Sequence, residues 1–101
     1  MDRAGVLLQQ LRTKLGTWMD SIRRATGATS VTFVTRDGGE FSIRVIWKQS
    51  DGERAFEKEF TKTRCLGASL QRPQTEWRVE KRACDYAREI MSEVLAQRGA
   101  L

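Results

Sequence analysis

The sequence predicts an α+β domain of two layers in the order α-β-β-β-α, with two helices packed on one face of a three-stranded antiparallel meander. Three observations predict it. Apolar residues recur at helical spacing towards both ends, they alternate with period two in between, and Asp-Gly turns separate the alternating stretches. With 101 residues, 40% of them hydrophobic, the expectation is one core and one domain over residues 1–101.

Residues 6–22 place Leu8, Leu11, Leu15, Trp18 and Ile22 three and four apart, with Leu7 and Met19 widening the stripe, which predicts one amphipathic helix. Gly16 inside it costs about 1 kcal/mol relative to Ala, and is expected to mark the close approach of another backbone. Arg23 and Arg24 suit the negative end of the helix dipole, and Gly27 is the expected stop.

Residues 30–36, 41–48 and 54–63 read as strands. A three-residue Asp37-Gly38-Gly39 loop pairs Phe33 with Ile43 and Val31 with Val45, whereas a two-residue loop would mix the faces. A two-residue Asp51-Gly52 loop pairs Trp47 with Phe56, Val45 with Lys58, Ile43 with Phe60 and Arg44 with Glu59. One sheet face then collects Val31, Phe33, Phe41, Ile43, Val45, Trp47, Phe56 and Phe60. Lys58 is the odd member of that face, an inward amine that discourages pairing at the sheet edge.

Residues 61–74 hold Gly67 and Pro73, show no period and form a long loop, of the kind often used for function. Glu76–Arg98 is the last helix, with Thr75 as its cap, a face of Trp77, Ala83, Cys84, Ala87, Ile90, Met91, Val94 and Leu95, and Gly99 beyond its end.

Chemistry is sparse. Histidine is absent, which removes the commonest general base and metal ligand, and no phosphate-binding, dinucleotide-binding or nucleophile-elbow motif occurs. The expectation is therefore a non-enzyme without cofactor or metal. A carboxylate site would need Asp37 and Glu40 to meet Asp51 and Glu53, which sit in turns at opposite ends of the central strand. Asp85, Glu89 and Glu93 read as a solvated helix face. Cys65 and Cys84 are 19 positions apart, in no metal or disulfide pattern, and Cys84 reads as a buried thiol. No apolar run exceeds three residues, so a cytoplasmic protein without a membrane partner is expected.

Positive charge is the informative feature. Lys and Arg number 18 against 13 Asp and Glu, and arginine, the better fork for phosphate or carboxylate, outnumbers lysine 13 to 5. Arg72, Arg78, Lys81 and Arg82 crowd the start of the last helix, with Lys62 and Arg64 in the preceding loop. Cations at a helix start oppose the dipole, and a bound anion would compensate them. The competing reading is neutralisation by Glu76, Glu80 and Asp85, for example Lys81 with Asp85.

The element order with a basic helix start resembles the double-stranded-RNA-binding domain, over most of the chain. The resemblance implies that Lys81 and Arg82, with Arg78, cross phosphates while the 37–39 turn enters a minor groove. That family's Gly-Pro-x-His turn has no counterpart here. The expected function is a binding module on nucleic acid or a nucleoprotein complex. The alternative is a small protein-binding regulator of phage type, such as an anti-CRISPR, that occludes a larger machine. A homo-oligomer through the edge of the first or third strand is a further possibility.

Overall fold

The computed structural model describes residues 3–63 and 76–99. Arg64, Cys65, Gly67, Arg72, Pro73 and the expected cap Thr75 lie outside the described residues, as do the side chains of Glu76 and Trp77.

The described chain runs α1 (Arg3–Gly16), α2 (Met19–Thr26), β1 (Ser30–Thr35), β2 (Phe41–Gln49), β3 (Gly52–Phe60) and α3 (Glu76–Arg98). The sheet is an antiparallel meander in the order β1-β2-β3. The helices contribute Leu7, Leu8, Leu11, Leu15, Ile22, Ala83, Ala87, Ile90 and Val94 to one core with Phe41, Ile43, Val45, Trp47 and Phe60 of the sheet. Val31, Phe33 and Phe56 pack against its margin, so the expected apolar face is the one buried.

The N-terminal helix is two helices, not one. Gly16 ends α1. The N–H groups of Thr17 and Trp18 then donate three residues back, to the carbonyls of Lys14 (3.1 Å) and Leu15 (2.9 Å), and the Thr17 hydroxyl also donates to Lys14 O at 2.7 Å. A poor helix former followed by a β-branched residue whose hydroxyl takes up a helix carbonyl makes the break. The turn is short enough to keep Leu15 and Ile22 both buried, which is why the stripe continues through it. Gly16 admits no neighbouring backbone: the nearest atom to an added Cβ is on the Phe33 ring, 4.0 Å away. The close approach is at Gly39, where a Cβ would lie 3.0 Å from Gly5 O of α1, at a backbone φ of +84°. Gly27 closes α2 in the left-handed conformation, as expected.

The first hairpin has the expected register, Phe33 opposite Ile43 and Val31 opposite Val45, around a three-residue turn at Asp37–Gly39. The second is displaced by two residues: Trp47 faces Arg54, Val45 faces Phe56, Ile43 faces Lys58 and Phe41 faces Phe60. The ladder ends at Gln49 opposite Gly52, which puts Ser50-Asp51 at the tip, and Gly52 takes a φ of +130° immediately after it. A slip of two leaves every side chain on its own face.

Lys58 is buried on the core face, its side chain 6% exposed, with Nζ 2.7 Å from Glu89 Oε1 and 3.4 Å from Glu93 Oε2. Glu89 and Glu93 are therefore not merely solvated acids; they hold the buried amine from α3. Cys84 is half-buried rather than buried. Around the Phe60 ring, Phe41 stacks at 4.8 Å and Tyr86 meets it edge-on at 5.0 Å, fixing how α3 crosses β3.

Candidate anion-binding surface

Val79, Ala83 and Ala87 are buried on α3, and helical geometry turns the neighbouring positions outward. Arg78 and Lys81 are exposed and Arg82 is half-buried. Arg78 and Arg82 both interact within the protein. Lys81 Nζ lies 3.1 Å from Asp85 Oδ2, with side chains 63% and 61% exposed. That is the local pair anticipated by the competing reading, and an exposed pair of this kind is worth about 0–1 kcal/mol.

Glu80 behaves differently from that reading. Its carboxylate is 3.0 Å from Lys14 Nζ of α1, an ion pair that joins the two helices beside the cationic residues. Lys14 thus stands beside the patch, with Glu80 engaged across the helix interface rather than along α3.

Lys62 lies at the end of the sheet that α3's early turns reach. It follows Phe60 by two residues, the Phe60 ring contacts Tyr86, and Arg82 stands one turn before Tyr86 on the same helix face. The Lys62 N–H donates to Glu40 Oε2 at 2.9 Å, and its amine hangs over the hairpin turn, where a Cβ on Gly38 would come within 3.3 Å of Nζ. The structure therefore gathers Arg78, Lys81 and Arg82 along one stretch of helix, and sets Lys62 at the adjoining sheet end. Arg64 and Arg72 belong to residues it does not describe.

The outer sheet face is the other charged surface. Arg44 pairs with Glu57 at 3.0 Å, not with Glu59 as the sequence-based register implied. Arg36, one residue beyond β1, reaches Glu57 at 3.2 Å and Glu59 at 3.6 Å. Sequence reasoning missed Arg36; the signal was its place just past β1, on the end of the sheet where Glu59 emerges. These arginines are matched by carboxylates, which leaves the face near neutral.

Asp20 pairs with Arg23 at 2.8 Å and with Arg24 at 3.0 Å on α2. A hydrogen bond from Arg23, and then the charge of Arg24, hold its carboxyl below the ordinary 3.8. Asp51 and Glu40 are occupied by Arg54 and by the Lys62 N–H, at opposite ends of β2. Among the described residues no group of three potential metal-ligating side chains forms, and no helix is long and apolar enough to cross a membrane. Surface depressions among the described residues include one of about 250 Å³ lined by Lys14, Thr17, Trp18 and Glu80, and another of about 420 Å³ lined by Trp47, Gln49, Arg54, Ala55 and Gln97. In the first, the only hydroxyl donates to a backbone carbonyl and the carboxylate binds Lys14. No protein-family profile, curated protein or solved structure matches this chain, so the likeness to the double-stranded-RNA-binding domain rests on element order alone.

Proposed function

We propose that the protein is a non-catalytic binding module whose cationic surface at the start of α3 docks on a polyanion, a nucleic acid or nucleoprotein complex. The observation that carries this reading is the gathering of Arg78, Lys81 and Arg82 on one outward stretch of α3. Lys14 stands beside them from α1, where it pairs with Glu80, and Lys81 pairs with Asp85 in an exposed contact of small energy. The chain as a whole carries +5. Guanidinium forks on a rigid helix suit phosphate oxygens spaced along a backbone. Such contacts position a protein on nucleic acid without reading its sequence.

Capture of partners from cell extract with and without nuclease tests the proposal. Loss of the partners after nuclease supports it. A stoichiometric protein that survives both nuclease and moderate salt overturns it in favour of an inhibitor that occludes a protein surface.

A further inference from the structure

The two edges of the sheet are protected to very different degrees. β3 carries Glu53, Arg54, Glu57, Lys58 and Glu59, and charges on an edge strand resist the addition of another strand. β1, Ser-Val-Thr-Phe-Val-Thr, has no charge, no proline and no glycine, and four of its residues are only half-buried. Three of those, Val31, Phe33 and Val34, are apolar.

The ladder fixes which groups β1 leaves open. The Arg36 N–H donates to Glu40 O at 2.9 Å, so the pair next to the turn is a hydrogen-bonded one. Alternation then makes Val34–Ser42 and Thr32–Arg44 hydrogen-bonded pairs. The N–H and C=O groups of Val31, Phe33 and Thr35 point away from β2. No hydrogen bond to these outward groups occurs among the described residues.

We infer that β1 is a self-association edge, and that two copies of this chain join β1 to β1 in antiparallel fashion, making one continuous sheet. The strand is self-complementary about Phe33. With Phe33 opposite Phe33 of the second copy, Val31 faces Thr35, and the three outward residues of each strand exchange about six backbone hydrogen bonds. On the outer face Thr32 faces Val34. Every facing pair is β-branched or aromatic, the types that pair best across strands. No two charges oppose each other in this register. The half-exposed Phe33 ring, held from one side by the Arg12 guanidinium 4.8 Å from its centroid, gains its counterpart at the two-fold axis. The inference stands independently of polyanion binding. The +5 of each copy makes moderate salt neutral or favourable to self-association, whereas polyanion binding weakens with salt.

Sedimentation of the full chain across a concentration series, paired with amide hydrogen exchange, tests this. The expected result is a species of twice the 11.6 kDa chain mass at high concentration. Exchange at Val31, Phe33 and Thr35 should slow at least tenfold as it forms, while Thr32 and Val34 stay protected at all concentrations. Thr35→Pro removes an outward N–H on an exposed residue and leaves the β2 ladder intact, so it should return the protein to a folded monomer. A Thr32→Cys/Val34→Cys pair, in a background with Cys65 and Cys84 changed to serine, should cross-link two chains under mild oxidation. A chain that remains monomeric, rapid exchange at the three amides at high concentration, or a dimer indifferent to Thr35→Pro would overturn the inference.

Discussion

Removing both acids from the buried lysine, as in Glu89→Ala/Glu93→Ala, leaves the Lys58 ammonium desolvated without a counter-charge. Its side chain is 6% exposed, beside the buried Ile43, and its hydrogen bonds to Glu89 and Glu93 measure 2.7 and 3.4 Å. Loss of the shorter contact alone should cost about 1.5–3 kcal/mol, the range for a charged hydrogen bond. Breaking a buried pair outright costs about 3–5 kcal/mol. The carboxylates are 49% and 44% exposed, so water offsets part of that, and the double variant should lose about 2–4 kcal/mol. Lys58→Met removes the charge and leaves two acids that water already reaches; it should lie within about 1 kcal/mol of the parent or above it. Combining Lys58→Met with the double acid variant should recover most of the loss, since the three groups act as one unit. Urea unfolding followed by circular dichroism reads all four proteins. An acid double variant with the parental midpoint, or a loss that Lys58→Met fails to rescue, would refute the reasoning.

Other consequences concern the core, a close approach and one helix. Val45→Asp puts a charge between Val31 and Phe56 in the core and should abolish cooperative unfolding; a folded, soluble variant by circular dichroism would mean that the sheet faces the other way. Gly39→Ala places a Cβ 3.0 Å from Gly5 O at a positive φ and should lose about 2 kcal/mol in urea, of which roughly 1–2 is the backbone term. Because the Asp20 carboxyl is lowered by Arg23 and Arg24, its contribution is present above 3.8 and disappears as pH falls through its lower folded value. Asp20→Asn should therefore flatten the acid limb of a melting-temperature profile and change little near neutrality.

How much of this was legible in the sequence depends on what each signal encodes. Alternation fixes the face of a strand residue, so the buried face and the first hairpin followed from parity. It cannot tell one register from another two residues away, and the second hairpin was misplaced by that amount. Helical spacing likewise passed through the break between α1 and α2, because a short turn keeps Leu15 and Ile22 on the core side. Gly16 was the local sign, and its meaning was termination rather than close packing. Arg78, Lys81 and Arg82 were readable as outward neighbours on α3. The pairing of Glu80 with Lys14, and of Lys58 with Glu89 and Glu93, joins residues from distant elements whose crossing no local pattern records.

The direct test of the central claim is the salt dependence of binding to a fluorescent nucleic-acid duplex, for the parent and for Arg78→Ala/Lys81→Ala/Arg82→Ala. The parent should bind with log K falling linearly against log salt. The triple variant should bind more weakly at every salt concentration, with a slope shallower by up to about 3 and an unchanged circular dichroism spectrum. A parent that does not bind, or a triple variant with the parent's affinity and slope, would contradict the account.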